Sequence, residues 1–101
     1  MGPFKLGESV RIPLSVTMDG VSLPVENPRI DRLIAPNGND INGFPAPMIQ
    51  ASLGIYYYEH KLTQIGNYTA ILRCELNGST LETIETFNVQ QPFGFPRIQK
   101  A

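Results

Sequence analysis

The side chains able to do chemistry are few and scattered. Cys74 is the single cysteine and His60 the single histidine in 101 residues. One thiol supplies neither an intrachain disulfide nor a thiolate metal cluster. One imidazole supplies no multi-histidine metal site. Ser9, Ser15, Ser22, Ser52 and Ser79 lie in no G-x-S-x-G elbow that a base could activate. The carboxylates have no spacing that forces two of them into one site, and there is no glycine-rich phosphate loop. Asn37, Asn39, Asp40 and Asn42 offer oxygen atoms, as a calcium loop would. Only Asp40 is charged, and the spacing is not that of an EF-hand. Turn chemistry explains the same residues. No catalytic, cofactor-binding or metal-ligating residue is expected, and the chain reads as non-enzymatic.

Net charge is −1, so nothing draws the chain to nucleic acid or to an anionic membrane. No stretch approaches the roughly 18 apolar residues of a membrane-spanning helix. MGPFKLGESV, the first ten residues, contains no apolar run of signal-peptide type. The expectation is a free-standing domain made in the cytosol. On that expectation the triplets Asn67-Tyr68-Thr69 and Asn77-Gly78-Ser79 stay unglycosylated.

The elements that position these side chains are strands. QIGNYTAILRCELNGSTLETIETFNVQ, residues 64–90, reads as a hairpin closed by Asn77-Gly78, the pair that best tolerates positive φ at both turn positions. Folding about that turn sets Leu76 against Ser79, Cys74 against Leu81, Leu72 against Thr83 and Tyr68 against Phe87. Arg73 then opposes Glu82, a pair that favours this register. Tyr68, Ala70, Leu72, Cys74 and Leu76 share the dry face, where Cys74 is an inert buried hydrophobe. Two features break the pattern. Ile71 and Ile84 pair on the wet face, and Glu85 falls on the dry one. A bulge near residues 83–85 moves Glu85 outward; otherwise a partner covers the second face.

Gly66-Asn67-Tyr68-Thr69-Ala70, followed after the turn by Phe87-Asn88-Val89, resembles the last two strands of an immunoglobulin-like β-sandwich. It is the G-x-Y-x-A … F-x-V pattern of filamin-type, fibronectin-like and bacterial or phage domains. The resemblance implies an all-β, antiparallel sandwich of about seven strands with extended termini. It also implies that Tyr68 forms a corner, its hydroxyl bonded to upstream backbone. Leu53-Gly54-Ile55-Tyr56-Tyr57-Tyr58 is similar to the preceding strand of such domains. The pattern speaks for the fold and little for function.

The rest of the chain divides into a lead (1–7), the sandwich (8–90) and an extended tail (91–101). Residues 8–17 form a strand with Val10, Ile12, Leu14 and Val16 inward and Pro13 outward, which marks an edge or a kink. Asp19-Gly20 turns it back onto residues 21–25. Asn27-Pro28 breaks the chain. Residues 28–35 read as a strand whose Arg29, Asp31 and Arg32 are a solvated face. Residues 36–47 are a long loop. Residues 48–53 and 55–60 are strands; alternation in the second buries either Tyr56 and Tyr58 or Ile55 and Tyr57, and the G-x-Y-x-Y pattern of the domains it resembles implies the first, leaving Tyr57 as a contact candidate. His60 is expected at a solvated strand end with no partner.

In the tail, Phe93, Phe95 and Ile98 sit among prolines that resist sheet extension. The two phenylalanines offer about 300–400 Å² of apolar surface, enough for docking worth several kcal/mol before ordering costs. Expected partner contacts are therefore Phe93, Phe95, Ile98, Ile71, Ile84 and Tyr57. The resemblance points to a bacteriophage virion component, a head decoration, cement or neck protein binding capsid or neck subunits. The alternative is a carbohydrate- or host-surface-binding module on a cell surface, with Tyr57 and the 37–44 loop as a glycan platform.

Overall fold

The structure is a computed structural model that describes residues 4–90. All its regular elements are strands: β1 (Phe4–Lys5), β2 (Ser9–Met18), β3 (Val21–Leu23), β4 (Glu26–Ile34), β5 (Ala46–Pro47), β6 (Ile49–Ser52), β7 (Ile55–Lys61), β8 (Gly66–Leu76) and β9 (Ser79–Gln90). They form two sheets, β1-β9-β8-β4-β5 and β3-β2-β7-β6, with the apolar core between them. The all-β sandwich expected from sequence is present. The count of nine exceeds seven because β1 and β5, two residues each, fall in the stretches read as lead and loop.

The β8–β9 hairpin carries the large sheet. Asn77 and Gly78 adopt φ of 52° and 81°, and the register runs unbroken from Leu76↔Ser79 to Gly66↔Val89. Every pair read from the sequence is found. The bulge expected near residues 83–85 is not. Glu85 stays opposite Ala70 with its side chain toward the space between the sheets, half-buried. No bulge is needed there, because an open groove of about 290 Å³ lies between β2 and β9 at that level. Leu14, Val16, Cys74, Leu81 and Glu85 are among its lining residues.

Tyr68 is fully buried, and its Oη accepts the backbone N–H groups of Gln64 (3.0 Å) and Thr63 (3.3 Å). This is the tyrosine corner implied by the resemblance. The ring stacks on Phe87, centroids 5.2 Å apart. Gly66 explains the first position of the motif. Its φ is 124°, and a Cβ there would meet Pro36 at 2.7 Å.

Three readings change in the structure. The lead is not separate from the sheet, since Phe4–Lys5 pairs in parallel with Val89 and Gln90. Pairing of β2 with β3 is confined to Val16–Met18 against Val21–Leu23. Asn27-Pro28 does not break the chain. It lies inside β4, where Asn27 takes φ of 52° and the register slips between Glu26 and Arg29. A second slip between Ile30 and Arg32 lets both Ile30 and Leu33 point inward, three residues apart. Strict alternation could not show this, because a bulge resets the period.

Candidate partner-binding site

The outer face of the large sheet is built in rows by the ladders of β4, β8 and β9. Ile71 lies directly opposite Ile84, and Arg32 flanks Ile71 on β4. Ile34, Thr69 and Thr86 make the next row. Ile84 is 58% exposed, while Ile71 and Ile34 are half-buried between neighbouring strands. The result is a short apolar strip on the wet side of the sheet.

An ion-pair network borders that strip. Arg73 holds Glu82 (2.7 Å, Nε to Oε1) and Asp31 (2.6 Å). Asp31 also approaches Arg29 (3.4 Å), which bonds Glu75 at 3.0 Å. Charges alternate along Glu75, Arg29, Asp31, Arg73 and Glu82 across three strands. The hydrogen bond to Glu82 is the main reason the Arg73 guanidinium pKa lies above its ordinary value. The expectation of a solvated face for Arg29 and Asp31 is thereby corrected, since both are mostly covered and paired. The slip in β4 brings Asp31 between the two arginines, and no sequence period announces it. Arg32 pairs separately with Asp40 at 2.9 Å. A bordering network of this kind holds the strip's surroundings in fixed positions and adds a geometric requirement for any partner.

Tyr57 lies elsewhere. It projects from the outer face of β7, on the opposite side of the sandwich, with the Arg11 guanidinium 4.4 Å from its ring centroid. Pro13 and Ile49 flank it on β2 and β6. Phe44, the aromatic of the 37–44 loop, packs edge-on against Tyr58 at 5.3 Å on the core side of β7. The sheet therefore separates Tyr57 from Phe44, and they form no common platform. Phe93, Phe95 and Ile98 lie outside the described residues. Among the sequence-predicted contacts, the structure brings Ile71 and Ile84 together and sets Tyr57 apart from them.

The chemically capable groups do not converge. Burial pushes the Cys74 thiol pKa up. His60 is half-buried rather than at a solvated strand end. It faces inward beside Tyr68, ring centroids 6.2 Å apart, and burial lowers its pKa. In the 37–44 loop, Asn37 Oδ1 accepts the Asn39 N–H (3.0 Å) and Asp40 serves Arg32. Among the described residues no group of three or more His, Cys, Asp or Glu side chains is placed to hold a metal ion.

No protein-family model matches the chain, and no curated protein matches it. Among solved structures, it is similar to a DUF4785 family protein from Legionella pneumophila subsp. pneumophila strain Philadelphia 1, with a TM-score of 0.57 and 12% identity. The likeness is one of fold. The match covers 86% of this chain and 26% of that one, so the chain spans about a quarter of that protein's length.

Proposed function

We propose that this domain is a non-enzymatic interaction module that binds a neighbouring protein in a multi-subunit assembly. In its most concrete form it is the virion component that the immunoglobulin-like resemblance implies. The observation that carries the reading is the directly opposed Ile71–Ile84 pair on the solvent side of β8 and β9. A sheet exposed on one face normally turns polar residues outward along a strict alternation. Here isoleucines interrupt that alternation on the outer face, beside an already paired charge network. That arrangement suits an apolar contact ringed by polar groups, the usual anatomy of a protein interface. The buried thiol and the inward imidazole support a non-enzymatic role, since neither shares a site with an activating partner.

The test substitutes Ile84→Lys and measures association with large particles in the native source. Loss of association with the fold intact supports the reading. Undiminished association removes the strip from it.

A further inference from the structure

β9 is the longest strand, and most of its outer edge has no partner among the described residues. β8 pairs with it throughout, from Ser79 to Val89, while β1 reaches only Val89 and Gln90. The direction of its backbone groups follows from the turn. Leu76 and Ser79 close a two-residue hairpin and are mutually hydrogen bonded, so the odd-numbered residues of β9 face β8. The even-numbered residues face the free edge. Gln90 confirms the parity, because its C=O accepts the Leu6 N–H at 2.9 Å on that side. Thr80, Glu82, Ile84 and Thr86 therefore present N–H and C=O groups outward, and all are exposed.

Edges of this length are normally blunted by proline, charged side chains or a bulge. β2 carries Pro13, whereas β9 has no proline, no lysine and no register break, and of its two charges Glu82 is taken up by Arg73, leaving Glu85 as its one guard. The outward residues are symmetric about Thr83. A two-fold axis at Thr83 sets Thr80 against Thr86 of a second copy and Glu82 against Ile84, and the reverse. Every outward group of these residues then gains a partner.

The side chains agree with that register. Glu82 is already neutralised by its own Arg73 and meets an isoleucine rather than a carboxylate. Glu85, which has no ion-pair partner among the described residues, meets Leu81 of the other copy. Thr83 meets Thr83, a favourable cross-strand pair. Shifting the axis to residue 82 or 85 opposes like carboxylates, Glu82 or Glu85 with itself. Shifting it to Ile84 drives Ser79 of the second copy into Phe4, which occupies the edge beside Val89.

We propose that a second copy of this chain pairs antiparallel along the free edge of β9, about a two-fold axis at Thr83, joining the two large sheets into one. Edge pairing buries less than a standard interface, so the dimer is weak and concentration-dependent. The contact is made by the strand edge, with Ile84 beside Glu82 of the second copy, and its test varies Thr80, Thr83 and Thr86 and leaves both isoleucines in place. It can therefore stand or fall separately from the assembly reading.

The test is analytical ultracentrifugation of the full chain from about 1 to 500 μM, with variants that read the register. T80K/T86K opposes like charges across the axis at both ends and should weaken dimerisation at least tenfold. T80K/T86E opposes unlike charges at the same positions and should restore it. In a Cys74→Ala background, Thr83→Cys should form an intermolecular disulfide on air oxidation, since a non-hydrogen-bonded pair brings its Cα atoms to about 4.5 Å. A monomer at every concentration overturns the proposal, as does a dimer that T80K/T86K and T80K/T86E affect equally. A dimer lost when residues 91–101 are deleted, yet insensitive to both charge variants, assigns the contact to the tail and also overturns it.

Discussion

Ile71 and Ile84 face each other across β8 and β9 with their side chains on the solvent side of the sheet. Ile84 makes little use of the core, so replacing it with lysine should change stability by no more than about 0.5 kcal/mol. The same change places a strongly hydrated charge at the centre of the apolar strip. Chemical denaturation should give the wild-type midpoint, while partner capture falls at least tenfold. A loss of stability of several kcal/mol would show that Ile84 is a folding residue instead.

Tyr68→Phe isolates the corner. The ring and its stacking on Phe87 survive, but the N–H groups of Thr63 and Gln64 lose their acceptor. Leaving a buried donor unpaired costs about 1–3 kcal/mol. The urea midpoint should drop accordingly with the slope unchanged, since no large surface is newly exposed. A midpoint equal to wild type would mean that water replaces the hydroxyl at no cost.

Gly66→Ala tests the close approach to Pro36. Alanine is strained at a φ of 124°, and its Cβ would lie 2.7 Å from Pro36 Cβ. The backbone term alone is of order 1–3 kcal/mol. By contrast Gly38→Ala, with nothing within 4 Å of a Cβ built there, meets only its own backbone preference. Thermal unfolding of the two variants should therefore rank Gly66→Ala as the more damaging.

His60 makes stability depend on acid. Its pKa in the fold is lowered by burial from an unfolded value of about 6.5. The unfolded chain then binds the proton more readily than the fold does. The contribution is intact above pH 6.5 and is lost as pH falls through the lowered folded value. His60→Phe, which keeps an inward ring beside Tyr68, should flatten the decline in unfolding midpoint below pH 6.5. An unchanged decline would assign the acid sensitivity to the carboxylates.

The legibility of the fold was uneven, and the reason is physical. The β8–β9 register followed from one turn, Asn77-Gly78, because a two-residue loop fixes every pair behind it. The inward tyrosines of β7 followed from the resemblance, since alternation alone allowed either face of that strand to be buried. β4 resisted the same treatment. Its two slips, near Asn27 and Asp31, change which residues face inward, and they also create the Arg29–Asp31–Arg73 link. Glu85 was misjudged for a different reason. An inward direction does not mean burial where the two sheets part and leave a groove. Of the site, the Ile71–Ile84 pair was visible in the sequence as a break in polarity. The network around it was not, since its members come from three strands and a bulge.

The most direct test of the central claim is sedimentation of the protein from its native source, without detergent or denaturant. The account predicts that it travels with megadalton particles, is released only when they are disrupted, and fails to join them when Ile84 is replaced by lysine. Sedimentation as free protein of the 11.2 kDa chain or a simple dimer of it, with no particle-bound fraction, would contradict it.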